Sequence, residues 1–147
     1  MNILTDLFKQ EGQSEKTIFI VEDNEIYAKS LQSFLNIRFP DIHRIKIFPV
    51  GELCLLELYQ NPTVVIMDHM LNTKYSDAAN GLSIIKKIKE ASDNTNIILL
   101  SAQKEFEVIS KAISKYGCTY LQKDEEAFGK VEQLVRKFFL LETNTAK

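Results

Sequence analysis

Short apolar runs alternate along the chain with longer segments in which apolar residues recur at helical spacing. The runs Thr17–Val21 and Thr63–Met67 are continuously apolar and rich in β-branched residues. That pattern is typical of strands buried on both faces of a sheet rather than on one. The further strand candidates are Arg44–Phe48, Asn96–Leu100 and Thr119–Gln122.

Each predicted strand is followed by a segment with the periodicity of an amphipathic helix. The first stripe comprises Ile26, Ser30, Leu31, Phe34, Leu35 and Ile37. Five βα units in succession favour a parallel sheet covered by helices on both faces. Because crossover connections are right-handed, the sequence predicts an α/β fold with a doubly wound, five-stranded parallel sheet. We expect the flavodoxin-like strand order 2-1-3-4-5.

Three acidic residues follow two of these buried strands. Glu22 and Asp23 end the first apolar run, and Asp68 ends the third. A charge at the tip of a buried strand is costly to desolvate unless an opposite charge meets it. If the two strands are neighbours, their carboxyl ends bring the three carboxylates together. A hard divalent cation such as Mg²⁺ relieves the repulsion by taking oxygen ligands. The sequence therefore predicts a magnesium pocket at this edge of the sheet.

Composition narrows the class of protein. The 147 residues fit one domain with a full core. Eighteen basic and twenty acidic residues give a net charge of −2, which does not favour nucleic-acid binding. No apolar stretch approaches the length of a membrane span, and no signal peptide is evident. Cys54 and Cys118 lie in no metal or redox spacing, so we expect buried thiols in a reducing cytoplasm.

The chain divides into three parts by pattern. Residues 1–16 form an N-terminal extension, residues 17–140 a single folded domain, and residues 141–147 a polar tail. The extension is either a frayed or docked terminus or a contact with a partner.

Two further polar residues end predicted strands at the same edge of the sheet. Ser101 ends the fourth strand in LLSA, and Lys123 follows the fifth strand in YLQKD. Each residue alone is usually structural: an acidic pair caps a helix, a serine lies in a turn, and a lysine is solvated. Together they place three acids, a hydroxyl and an ammonium on the ends of four strands.

With these residues the sequence resembles the receiver domain of two-component response regulators. The motifs that carry the resemblance are VEDN, VVIMD, LLSA and YLQKD, and it covers about residues 17–140. It implies that Asp68 accepts a phosphoryl group as an acyl phosphate. It also implies that Asp23 and Asp68 ligate Mg²⁺, with Glu22 assisting through water and the Met70 backbone carbonyl as a further ligand.

The resemblance also implies how phosphorylation of Asp68 would change the surface of the domain. Ser101 would hydrogen-bond the phosphoryl group, Lys123 would pair with Asp68 and then with that group, and Tyr120 occupies the position of the aromatic switch residue. The surface expected to change is that of the fourth helix, fifth strand and fifth helix. No effector domain fits after residue 140, so we expect a stand-alone receiver. It would be a signalling protein rather than an enzyme, although it assists its own phosphorylation and dephosphorylation.

The implied partners are a sensor histidine kinase or histidine phosphotransfer protein and a downstream protein target, with no nucleic acid and no membrane. The alternative is a degenerate receiver that binds partners without phosphorylation. A haloacid-dehalogenase-type phosphatase is less well supported, because Met70 stands where its second aspartate is needed. A flavodoxin-like cofactor binder lacks the phosphate loop after the first strand. The segment Leu71–Asn80 departs from the family by its extra length.

Overall fold

The computed structural model describes residues 15–68, 78–102 and 106–145. In these residues, five parallel strands form one sheet in the order β2-β1-β3-β4-β5. The strands are β1 (Thr17–Val21), β2 (Arg44–Phe48), β3 (Val64–Asp68), β4 (Asn96–Ser101) and β5 (Thr119–Gln122). The predicted fold class and strand order are confirmed, and the strand bounds differ from the prediction by at most one residue.

Helices cover both faces of this sheet. They are α1 (Glu25–Arg38), α2 (Gly51–Leu56), α3 (Ala78–Ala91), α4 (Phe106–Tyr116) and α5 (Ala127–Thr145), with a short 3₁₀ turn at Leu58–Gln60. One core lies between the sheet and α1 and α5. The other lies between the sheet and α2, α3 and α4.

The central strand β1 shows why the apolar runs are continuous. Ile18 and Ile20 point into the core beneath α1 and α5, whereas Phe19 and Val21 point into the opposite core. All four side chains are at most 1% exposed. Successive side chains alternate between the two faces of the sheet, and both faces are buried. For this reason residues 18–21 are all apolar.

Helix α1 begins with a side-chain cap, and its core-facing side includes only part of the predicted stripe, namely Leu31, Phe34 and Leu35. The Asn24 side chain accepts a hydrogen bond of 3.0 Å from the Tyr27 backbone N–H. The predicted stripe included Ile26 and Ile37, but these side chains are 81% and 78% exposed. That part of the prediction is wrong, because the inward face follows the four-residue spacing Tyr27, Leu31, Leu35.

The structure describes the C-terminal end of the predicted domain but not most of the predicted N-terminal extension. Helix α5 continues through Thr145, so the described part of the predicted tail from 141 to 145 is helical. Thr63 donates a hydrogen bond of 2.9 Å to the Glu142 carboxylate, which ties this extra turn to the start of β3. Residues 1–14 of the predicted extension lie outside the described residues. None of the helices in the described ranges is both long and apolar enough to cross a membrane.

Candidate functional site

The carboxyl ends of β1 and β3 bring the three predicted acids into one cluster. The two strands are direct neighbours, with Val21 opposite Met67, so Glu22 and Asp23 leave the sheet beside Asp68. One carboxylate oxygen of each acid lies within 4.8 Å of those of the other two. Glu22 and Asp68 are 4% and 8% exposed, whereas Asp23 is open to solvent.

Lys123 brings a positive charge to this cluster from the end of β5. Its Nζ lies 2.9 Å from Glu22 Oε1 and 3.6 Å from Asp68 Oδ2. Its backbone N–H donates a hydrogen bond of 2.8 Å to the Ser101 carbonyl, which fixes the start of the loop after β5. The ammonium is therefore closer to Glu22 than to Asp68, the partner that the resemblance implied. Both acids lie within salt-bridge reach of it.

Burial and repulsion change the acidity of Glu22. Desolvation raises its pKa from 4.5 to about 7, although the hydrogen bond from Lys123 opposes this shift. The nearby charge of Asp68 adds to the rise. Among the residues that the structure describes, Lys123 supplies one positive charge beside three carboxylates, so the Glu22 charge is only partly compensated. The cluster is thus under electrostatic strain at neutral pH.

The predicted switch residues lie on the two neighbouring strands β4 and β5. Ser101 is fully buried at the end of β4 and pairs in register with Gln122. Tyr120 pairs with Leu99 and is half-buried. The Tyr120 hydroxyl is buried and has no hydrogen-bond partner among the described residues. The two side chains therefore lie on adjacent strands, with Ser101 at the carboxyl end of β4.

The donor set of the cluster matches Mg²⁺. Three carboxylates offer hard oxygen ligands within a few ångströms of one another, and one of them is solvent-facing, which leaves space for water ligands. A divalent cation would also relieve the repulsion that raises the Glu22 pKa. The predicted fourth ligand, the Met70 carbonyl, lies outside the described residues, as does the segment 69–77 that precedes α3.

Sequence reasoning missed one residue of the site. The ring of Tyr27, in the first turn of α1, has its centroid 4.1 Å from Lys123 Nζ. Burial raises the pKa of Tyr27 to about 12, and the charges of Glu22, Asp68 and Asp124 add to the rise. Its position four residues after Asp23 was the available signal, because the first turn of α1 lies over the ends of the strands.

The chain thus combines a doubly wound parallel sheet with an acidic triad, a buried hydroxyl and a lysine at the carboxyl edge of that sheet. A family model described as the response regulator receiver domain matches residues 18–136. The chain therefore belongs to the response regulator receiver domain family. Receiver domains are signalling domains rather than classical enzymes, and they bind Mg²⁺ at an acidic pocket. They accept a phosphoryl group in two-component systems and interact with histidine kinases or phosphotransfer proteins and with downstream targets.

Solved structures are similar to the chain in fold. A BeF3-activated DrrB receiver domain is 27% identical, with a TM-score of 0.69, over 86% of this chain and 98% of that one. The response regulator DrrB of Thermotoga maritima is also 27% identical, with a TM-score of 0.70, over 88% of this chain and 54% of that one. A CheY-like receiver protein from Methanospirillum hungatei is 17% identical, with a TM-score of 0.72, over 91% and 100% of the two chains. The comparison with curated proteins found no significant match.

Proposed function

We propose that this receiver accepts a phosphoryl group on Asp68 from a phosphohistidine of a sensor kinase or phosphotransfer protein, in the cytoplasm and with Mg²⁺. The acyl phosphate then changes the binding of a downstream protein. One observation carries the proposal: Asp68 is 8% exposed and lies 3.6 Å from Lys123, within a cluster of three carboxylates. A strand-end carboxylate with this surrounding is suited to act as a nucleophile toward phosphorus.

The proposed reaction transfers the phosphoryl group from a phosphohistidine donor to Asp68 as the acceptor. An Asp68 carboxylate oxygen attacks the phosphorus, a P–O bond forms, and the P–N bond to the donor imidazole breaks. The imidazole nitrogen leaves with the electron pair and takes up a proton from solvent. Asp23 and Asp68, with Glu22 and the Met70 carbonyl assisting, would hold Mg²⁺, which would supply charge neutralisation for the phosphoryl oxygens.

Lys123 and Ser101 act on the phosphoryl group after it arrives. The Lys123 ammonium, already 3.6 Å from Asp68 Oδ2, pairs with a phosphoryl oxygen. The Ser101 hydroxyl, buried at the end of β4, turns to donate a hydrogen bond to another oxygen. Tyr120 on the next strand follows that movement, and the surface of α4, β5 and α5 changes with it.

Intact-mass measurement after incubation with phosphoramidate and Mg²⁺ tests the proposal. We expect the wild type to gain the mass of one phosphoryl group and Asp68→Asn to gain none. Asp41→Asn is the matched control, because Asp41 is an exposed aspartate in the turn before β2. It should react like the wild type. If phosphoramidate, acetyl phosphate and a phosphorylated histidine kinase all leave the wild type unmodified, the chain is instead a degenerate receiver.

A further inference from the structure

Tyr27 makes the closest contact between a cation and an aromatic ring in the described part of the chain. Lys123 Nζ lies 4.1 Å from the ring centroid, against 4.6 Å for Lys16 over Phe139 and for Arg136 over Phe39. The Lys123 side chain is 17% exposed. A cation over a ring face is stabilised most strongly where water is excluded, so burial adds to the effect of the short distance.

Other aromatic residues fix the orientation of the Tyr27 ring. Its centroid lies 5.4 Å from that of Phe128, in an edge-on arrangement with an interplanar angle of 72°. Phe128 in turn contacts Phe34 of α1 at 5.4 Å. The ring over Lys123 therefore packs against Phe128 in the first turn of α5, and Phe34 of α1 supports Phe128 in turn. A ring held in this way presents its face to the ammonium at little further cost in conformational entropy.

The ring rather than the hydroxyl of Tyr27 makes the contact. The hydroxyl is buried and has no hydrogen-bond partner among the described residues. Removing an unsatisfied buried hydroxyl is not expected to cost stability. Phenylalanine would therefore keep the contact with Lys123, and an aliphatic residue would remove it.

We propose that Tyr27 is a positioning residue: its ring face holds the Lys123 ammonium beside Asp68 when the ammonium leaves Glu22. In the structure the ammonium is shared between Glu22, at 2.9 Å, and Asp68, at 3.6 Å. A ligand that occupies the Glu22 carboxylate takes away the shorter of these two contacts. The ring then remains as a fixed contact that keeps the positive charge at the phosphorylation site. This inference rests on the proposed function.

Nuclear magnetic resonance tests the contact without any activity. A proton above a ring face resonates upfield, so the Lys123 Hε protons should be shifted upfield in the wild type and in Tyr27→Phe but not in Tyr27→Leu. The shift should persist when Mg²⁺ is added. Nuclear Overhauser effects between Lys123 Hε and the Tyr27 ring test the same point in the wild type alone. Absence of these effects in the wild type overturns the proposal, whether or not the leucine variant folds.

Phosphorylation by phosphoramidate then tests the consequence. We expect Tyr27→Leu to lower the rate constant at saturating Mg²⁺ and donor by about fivefold, the order expected for one desolvated cation–ring contact. The Mg²⁺ concentration for half-maximal rate should change by less than about twofold, because the carboxylates stay in place. Tyr27→Phe should react like the wild type. The proposal is overturned if Tyr27→Phe is as slow as Tyr27→Leu. It is also overturned if Tyr27→Leu raises the Mg²⁺ concentration for half-maximal rate by the same factor as it lowers the rate constant. A wild type that is never phosphorylated contradicts the proposed function instead and leaves the resonance test intact.

Discussion

The polar groups at the two edges of the sheet differ in how fully hydrogen bonds and opposite charges compensate them. At the carboxyl edge, formed by the ends of β1, β3 and β5, Glu22 and Asp68 are buried and share the ammonium of Lys123. At the amino edge, a cleft of about 460 Å³ is lined by polar residues such as Thr63 and Thr95 and by the apolar residues Phe138 and Leu141. Both edges carry polar side chains, so polarity alone does not identify the functional one.

Hydrogen bonds within the amino edge pair several of its polar groups. Thr63 donates to the Glu142 carboxylate at 2.9 Å, and Asn96 donates to the Thr63 carbonyl at 3.1 Å. The Thr95 hydroxyl donates to a backbone carbonyl at 3.3 Å, and Lys89 donates to the Thr95 carbonyl at 2.7 Å. These contacts join β3, β4, α3 and α5. The cleft is consequently part of the scaffold, and nothing in its chemistry calls for a ligand.

Among the described residues, the carboxyl edge carries more acidic than basic groups. Three of their carboxylates lie close to the Lys123 ammonium, and the pKa of Glu22 rises to about 7. Such an arrangement lowers stability in the free protein and is retained where a ligand or reaction relieves it. The comparison teaches that unrelieved charge, rather than cavity volume, distinguishes the reactive edge of this fold.

Removing the Lys123 ammonium, which Glu22 and Asp68 share, should cause the largest loss of stability. Lys123→Met keeps the aliphatic stem but leaves two buried carboxylates without their ammonium. We expect it to lower the free energy of unfolding by about 3 kcal/mol at neutral pH. Urea denaturation measures this loss. Addition of Glu22→Gln should restore part of the stability, because it removes one of the two uncompensated charges.

Lys89→Met is the matched control at the amino edge. Its ammonium donates to a neutral carbonyl rather than to a carboxylate, so we expect a loss of only about 1 kcal/mol. Equal losses for the two lysine variants would contradict the contrast between the edges.

Replacing Glu22 with glutamine should raise the free energy of unfolding by an amount that depends on pH. The unfolded chain loses the Glu22 proton near pH 4.5, whereas the folded protein keeps it to about pH 7. The folded state therefore binds more protons in this range, and the stability that Glu22 contributes falls as the pH rises through it. Glu22→Gln lacks this titration. The difference in free energy of unfolding, variant minus wild type, should grow from about pH 4.5 to about pH 7 and then level off, reaching at most about 3 kcal/mol.

Urea denaturation at several pH values, without divalent cations, measures that difference. Glu52→Gln is the control, because Glu52 is an exposed acid in the first turn of α2. It should give a difference that varies little over the same range. A difference for Glu22→Gln that is flat with pH would show that the carboxyl edge is not strained. Mg²⁺ should reduce the advantage of Glu22→Gln, since it stabilises the wild type by binding the ionised carboxylates.

Much of the fold and the site follows from the sequence through the positions of strand ends. Continuous apolar runs locate β1 and β3, and a parallel sheet necessarily brings their carboxyl ends to one edge. Glu22, Asp23 and Asp68 could therefore be placed together before any coordinates were known. Ser101 and Lys123 follow by the same reasoning.

Contacts between side chains that are distant in sequence could not be predicted in this way. The preference of Lys123 for Glu22 depends on the longer reach of glutamate and on the path of the loop after β5, which the Ser101 carbonyl fixes. Tyr27 meets Lys123 only because α1 and α5 pack on the same face of the sheet. Periodicity identified Leu31, Phe34 and Leu35 on the core-facing side of α1 correctly, but it included Ile26 in place of its neighbour Tyr27, because both residues are apolar enough to fit the stripe.

The smallest expected effect comes from the amino edge. Thr63→Val keeps the shape of a buried side chain but removes the hydrogen bond to Glu142. We expect a loss of about 1 kcal/mol in the free energy of unfolding, because the Glu142 carboxylate is only half-buried and can be solvated instead. The phosphorylation rate with phosphoramidate should stay within about twofold of the wild type, since additivity holds for distant sites. Urea denaturation and a timed intact-mass series measure the two quantities on the same preparation. A large change in phosphorylation rate with so small a change in stability would show that the two edges are coupled through β3, and that the amino edge is more than scaffold.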